Sequence, residues 1–223
     1  MLQPIMTELS AMRIVLASGS PRRKDVLNNI GIKFDIVPST FEENLDKSSF
    51  NSAVEYAKET ALGKAIEVAQ RLQGANEPDL VIAADTVVTL EDRIFEKPKD
   101  KKDAFQMLSH LSGRTHCVNT GMALITRRKG SADESNGPFH VTQFHETTEV
   151  TLGDLSPEVI QGYVDTGEPL DKAGGYGIQE LGGTLVKGIT GDYFNVVGLP
   201  VHNFCCHLLT LFGHPVFKKE QST

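Results

Sequence analysis

The chain has 223 residues, 39% hydrophobic and 23% charged, with 22 Lys+Arg against 29 Asp+Glu for a formal net charge of −7. At roughly 150 residues per domain this allows one large domain or two small ones, and the acidic balance argues against a nonspecific nucleic-acid binder or a membrane-surface protein, which would carry a basic excess. Cys117, Cys205 and Cys206 form no C-x-x-C pair, so neither a thiolate zinc site nor a disulfide framework is expected, and the address read from them is a reducing, cytoplasmic one. No apolar run approaches the roughly 18 residues of a membrane span, and residues 1–12 lack the basic leader of a secretory signal.

In chain order, residues 1–12 read as an N-terminal extension. Arg13 to Ala17 is a short apolar run suited to a buried strand. Ser20 and Pro21 supply the cap and first position of a helix with Val26, Leu27 and Ile30 on one face, and Gly31 stops it. Lys33 to Val37 reads as a second strand. Ser52-Ala53-Val54-Glu55 is a capping box that opens a long helix to about Leu72. Leu80 to Leu90 is a strand, Glu91-Asp92 a turn, and Arg93 to Phe95 a short return strand. Lys101 to Leu111 is a helix with Ala104, Met107, Leu108 and Leu111 inward.

His116 to Thr126 and Phe139 to Leu152 form a long hairpin, joined through the polar insertion Arg127 to Pro138. Ser156-Pro157 caps a helix that ends near Gly167. Gly191 to Asn195 reads as a turn, and Pro200 opens a last helix to Phe212. Residues 213–223 read as a frayed tail. Hairpins alternating with helices predict an α/β fold with a mixed, elongated sheet flanked by helices, one domain over residues 13–212 whose two lobes enclose a central cleft.

Five constellations could carry chemistry. Ser18-Gly19-Ser20-Pro21-Arg22-Arg23 lies where a strand turns into a helix, and a helix N-terminus binds anions through its free N–H groups and dipole. Arg22 and Arg23 oppose that dipole, a cost that an anionic ligand would relieve; two solvated arginines beside a cap are the plain alternative. Asp85 follows the apolar run Leu80 to Ala84, and a carboxylate there is costly to bury without a cation, a metal or hydrogen bonds. It is a candidate metal ligand or general base. Glu42-Glu43, Lys64 and Lys97 are individually uninformative. Asp171 to Gln179 holds three glycines in four residues, a loop whose backbone can approach a ligand closely, and Gln179 can read a base edge. The seven histidines show no metal spacing and read as structural or exposed.

Together these blocks carry a resemblance. With Lys97-Pro98, Leu111 to His116, Gly191-Asp192-Tyr193 and Asn195 to Pro200, in this order from Arg13 to Leu211, the chain resembles the Maf family of nucleotide pyrophosphatases. The resemblance implies hydrolysis of a nucleoside triphosphate to monophosphate and pyrophosphate with a divalent cation, magnesium or manganese. It also implies a cleft fold similar to that of inosine triphosphate pyrophosphatases, and a homodimer. By the same resemblance Ser18, Ser20, Arg22 and Arg23 bind the substrate, and Glu42 and Asp85 serve the metal and the attacking water. Lys64 and Lys97 neutralise phosphate charge, and Gln179 lies by the base. Arg23, Thr86 and Gln179 match a subgroup that prefers dTTP and UTP.

Glu96 departs from the pattern, which usually has glycine before Lys-Pro. Maf-like domains also occur joined to a methyltransferase-like part in animal proteins, and a stand-alone domain is expected here. Two other readings stand beside the pyrophosphatase. One is a non-catalytic nucleotide-binding regulator of cell division; the other is a phosphohydrolase that attacks the terminal phosphate and releases orthophosphate.

Overall fold

The structure, a computed structural model, describes residues 1–74, 77–91, 93–127 and 139–214. The expected linker insertion falls almost wholly on residues 128–138, and most of the expected tail on 215–223, both outside the described residues.

A strand buried along nearly all of its length needs cover on both faces and both edges. That strand is β3 (Leu80–Leu90). Its neighbours are β1 (Ile14–Leu16), in parallel register Ile14↔Leu80 to Leu16↔Ile82, and β5 (Thr115–Arg127), antiparallel. With β2 (Asp35–Ile36), β6 (Phe139–Leu152) and β7 (Val186–Thr190) the order is β2-β1-β3-β5-β6-β7, and β4 (Arg93–Phe95) pairs back onto β3. The mixed α/β architecture is as the sequence predicted.

Alternation sorts β3 onto two faces. Val81 and Ala83, with Val15, Ala17, Ala123 and Ile125, pack under Ala61, Ala65, Val68 and Ala69 of α3 (Ala53–Arg71). Leu80, Ile82 and Ala84 face the other way, onto α2 (Pro21–Asn29) and α7 (Val201–Leu211). Residues 1–12 belong to this second layer: α1 (Met6–Ala11) and the turn before it bury Leu2, Ile5 and Leu9 in the same cluster. Farther along β3, Val88 and Leu90 enter a separate cluster with α4 (Lys101–Leu111) and α5 (Pro157–Asp165).

The cleft comes from a gap in strand pairing. β1 leaves the β3 edge after Ile82, where Ala17 N–H still bonds Ile82 O at 2.8 Å, and the chain turns away into α2. β4 takes up that edge only from Val88. Between them, residues 83–87 lie at an unpaired edge, with Asp85 on the α3 side and Thr86 on the α2 side.

Caps set the helix starts largely as read. Ser20, Ser52 and Ser156 accept from Arg23, Glu55 and Val159 N–H. The box at Ser52 is not reciprocal: Glu55 reaches back to Asn51 N–H at 3.1 Å. The expected turn at Gly191 to Asn195 is instead the start of a short helix, α6 (Tyr193–Val197). Asp192 caps it through Phe194 N–H at 2.8 Å, and Gly198 closes it at φ 112°. β7 was not anticipated because, as a mostly exposed strand, it carries little apolar alternation.

α3 can ride close to the sheet because β5 has Gly121 opposite Asp85; a Cβ there would lie 2.4–2.6 Å from Ala57 and Lys58 backbone atoms. Backbone cannot step aside as a side chain can, so Gly121→Ala should destabilise the fold by about 1–3 kcal/mol. Thermal denaturation should register this as a loss of roughly 2–4 °C in Tm per kcal/mol; an unchanged Tm would contradict the close approach.

Candidate active site

The gap opens into a cleft of about 290 Å³. On its α3 side, Lys64 and Asp85 are both buried, at 9% and 7% exposure. Lys64 Nζ donates to Asp85 Oδ1 at 2.8 Å and lies 3.0 Å from Glu43 Oε1. A single ammonium thus draws two carboxylates, from β3 and from the loop after β2, to one point of the cleft wall. Gly63 leaves the space filled by the Phe41 ring, whose atoms a Cβ would approach to 2.5 Å, and this seats the acidic loop against the helix beside Lys64.

Glu42 does not line the cleft. It is exposed and accepts from Asn44 Nδ2 at 3.1 Å, while the main chain turns, Asn44 N–H bonding Glu42 O at 2.9 Å. Consecutive side chains diverge at such a turn, so it is Glu43 that faces Lys64 and Asp85. Two adjacent glutamates in a loop give no sequence signal for which one points inward.

On the α2 side, the arginines have different surroundings. Arg23 donates through Nε to Gly198 O at 2.8 Å, through Nη1 to Ser18 Oγ at 3.1 Å and through Nη2 to Thr86 Oγ1 at 3.0 Å. Thr86 and Thr120 hydroxyls share a 2.9 Å bond, and Thr120 Oγ1 bonds Asn195 O at 3.2 Å. Arg23 therefore braces α2, β3 and the end of α6 together. Burial lowers its pKa, opposed first by the charge of Asp85. Arg22 turns to the other side, where Nη1 and Nη2 bond Asp171 Oδ2 at 2.8 Å and Asp171 O at 3.1 Å. The cost of two cations at a helix start is thus met within the protein by Asp171. Ser18, Ser20, exposed Lys97 and exposed Gln179 all line the same cleft.

The opposite wall is the glycine loop. Gly174 and Gly175 adopt φ of 71° and 75°, and a Cβ on Gly174 would lie 2.8 Å from Val88. Lys172, 5% exposed, bonds Glu168 O and Asp171 Oδ1, both at 2.8 Å, and lies 3.1 Å from Glu180 Oε2. Tyr176 is hydrogen-bonded to His116 Nε2 at 2.7 Å, and Tyr163 OH accepts Gly177 N–H at 3.2 Å. Asp171, Lys172 and Tyr176 stood in the loop that the sequence singled out, but the contacts of Asp171 with Arg22 and of Tyr176 with His116 join residues too far apart in sequence to be read from it.

A family model described as Maf-like protein matches residues 13–211. The chain belongs to the Maf family. A human protein named "Probable bifunctional dTTP/UTP pyrophosphatase/methyltransferase protein" is 50% identical to this chain over 214 residues, covering 95% of the chain and 34% of that protein. The chain thus spans about a third of the length of this relative. A Clostridium perfringens dTTP/UTP pyrophosphatase is 47% identical over 192 residues, 86% of this chain and 93% of that protein. One from Acetivibrio thermocellus is 46% identical over 211 residues, 93% of this chain and 99% of that protein. Among the described residues of this Maf domain, no helix is long and apolar enough to cross a membrane, and the three cysteines are free thiols.

His116 gives the glycine-loop wall a pH dependence. Burial lowers its pKa to about 4, against about 6.5 in an unfolded chain. The folded form stays neutral where the unfolded form takes up a proton. His116 therefore leaves stability intact above pH 6.5 and removes up to about 3 kcal/mol as pH falls to 4. Tm measured from pH 7.5 to 4.5 should fall through this window, and His116→Gln should flatten the fall. Equal slopes in the two proteins would contradict the assignment.

Proposed function

We propose that this chain hydrolyses dTTP and UTP to the monophosphate and pyrophosphate by attack of water on the α-phosphate. The observation that carries the reading is the pair of carboxylates, Asp85 and Glu43, gathered by Lys64 at the wall of a cleft whose other side is the N-terminus of α2. The names of relatives 46–50% identical to the chain support it.

The chain's own groups divide the work. The α2 N-terminus, the Ser18 and Ser20 hydroxyls, Arg22 and Lys97 receive the phosphates, since each is a donor or cation lining the cleft. Arg23, committed to Ser18, Thr86 and Gly198, holds the first of these donors in place. Asp85 takes the proton of the attacking water as the water oxygen bonds to the α-phosphorus and the bridging oxygen departs with pyrophosphate. Lys64 offsets the charge of the two carboxylates and stands by the leaving group.

The donor set fits a divalent cation. Asp85 and Glu43 are hard oxygen donors brought side by side at the cleft wall by Lys64, and magnesium is held by one or two carboxylates plus substrate phosphates rather than by an all-protein cage. In this reading Asp85 and Glu43 would hold the ion, with Glu43 in the place expected for Glu42. When bound, magnesium or manganese supplies charge for the departing pyrophosphate and polarises water. A non-catalytic binder could do without an acid placed to take the proton of water, whereas a hydrolase needs one, and Asp85 supplies it.

Gln179 lies at the cleft and can give one hydrogen bond and accept another, which suits a uracil-type edge of two carbonyls flanking one N–H. The extra methyl of thymine adds little, so dTTP and UTP should be used within roughly tenfold of each other. The homodimer implied by the resemblance and the cytoplasmic address read from the cysteines belong to this proposal.

A panel of nucleoside triphosphates with magnesium or manganese, reading pyrophosphate, tests it. The expected result is good turnover of dTTP and UTP, poor turnover of ATP and GTP, and a loss of at least about 10²-fold in folded Asp85→Asn. ATP or GTP as best substrate would overturn the base preference, and near-normal turnover by Asp85→Asn would overturn its role.

A further inference from the structure

We propose that Glu96 is a clasp across the cleft, a positioning residue that ties the loop bearing Glu43 and the helix bearing Lys64 to the glycine loop on the opposite wall. This rests on the pyrophosphatase reading, because its consequence is the placement of Glu43 and Lys64 against a substrate.

Glu96 lies between β4 and Lys97, and three elements meet on it. Its Oε2 accepts from Lys47 Nζ at 2.6 Å, and its Oε1 accepts from Tyr56 OH at 2.7 Å. Its main-chain carbonyl accepts from Gly174 N–H at 3.1 Å. The side chain thus holds one wall and the backbone holds the other. Lys47 opens the helical turn Lys47–Ser49, capped by Asp46, in the segment that joins Glu43 to α3. Tyr56 sits on α3 about two turns before Lys64.

The acidic loop needs such an anchor. Residues 46–49 are exposed, and it is Leu45 and Phe50, on either side of them, that pack towards Tyr56 and Val87. Tyr56 is 1% exposed and meets the Phe50 ring edge-on at 5.6 Å, with Lys47 Nζ 5.6 Å from the Tyr56 ring centroid. Burial alone would raise the Glu96 pKa, but the hydrogen bonds from Lys47 and Tyr56 and the charges of Lys47 and Lys64 bring it below the usual value, so the carboxylate is ionised at neutral pH. A half-exposed ion pair adds little stability by itself. The sheltered, charge-assisted bond from Tyr56 fixes the carboxylate, and the carboxylate then restrains Lys47. Glycine, expected at this position from the family pattern, would keep the carbonyl bond and lose both side-chain bonds.

The test measures kcat and KM for dTTP with magnesium in the full chain and in Glu96→Gly, Glu96→Gln, Lys47→Met and the Glu96→Gln/Lys47→Met pair. Amide hydrogen exchange over residues 42–50 and 173–176 is followed alongside. Glu96→Gly should lower kcat about tenfold, because Glu43 and Lys64 stand at the reacting end, with KM changed less than about threefold. Glu96→Gln, which keeps an acceptor for Tyr56, and Lys47→Met should lose less, and their combination no more than the worse single variant. Exchange should quicken over residues 42–50 in Glu96→Gly, where both side-chain bonds are lost, more than over residues 173–176, where the carbonyl bond is kept.

A Glu96→Gly enzyme with kcat within twofold of wild type, multiplicative losses in the pair, or unchanged exchange would overturn the clasp. Should Glu96→Gly fail to fold, Lys47→Met decides, since it alters only the exposed end of the contact. A wild-type chain that releases no pyrophosphate from any triphosphate would overturn the functional reading instead, and the exchange arm would still judge the clasp.

Discussion

A carboxylate buried beside an apolar strand interior is costly without a compensating partner; Asp85 is that carboxylate, and its partner is a cation. Its partner comes from a different layer of the fold, Lys64 on α3, so the pair can form only if the helix lies close over the sheet at that point. The glycine at position 121 and the small residues Ala57, Ala61 and Ala65 allow that approach. The unpaired edge between β1 and β4 then leaves the Asp85 oxygens open to the cleft. Period-two alternation adds the second half of the site, because Thr86 faces the opposite layer and meets Arg23. One stretch of strand edge thus gives an acid on one face and a hydroxyl brace on the other.

A second feature is that several of the charges around the cleft have partners within the protein. Arg22 has Asp171, Lys64 has Asp85 and Glu43, and Lys172 has Asp171 and Glu180. Cations and carboxylates held this way are oriented before a ligand arrives, which is the condition for electrostatic stabilisation without reorganisation. Binding of a polyphosphate would then compete with Asp171 for Arg22 rather than order a loose side chain.

Much of this was legible in the sequence. The length of β3, the caps at Ser20, Ser52 and Ser156, and the long β5-β6 pairing follow from local pattern. So does the suspicion about Asp85, since an acid after five apolar residues conflicts with its surroundings. The choice between Glu42 and Glu43 did not, because it depends on a turn of the main chain. Nor did the Asp171 contact to Arg22 or the Tyr176 contact to His116, whose partners are 149 and 60 residues apart. β7 and α6 escaped for a simpler reason: one is an exposed edge strand and the other a single capped turn, and neither carries a hydrophobic period. Burial of Leu2, Ile5 and Leu9 was missed because they are spread over a 3-residue turn and a 6-residue helix, each too short to set a face.

The central claim is that water attacks the α-phosphate beside Asp85. Hydrolysis of dTTP in ¹⁸O-enriched water measures this directly, with both products analysed by mass spectrometry. The account predicts one ¹⁸O in the thymidine monophosphate and none in the pyrophosphate. Label in pyrophosphate, or release of labelled orthophosphate, would place the attack on another phosphorus and contradict it.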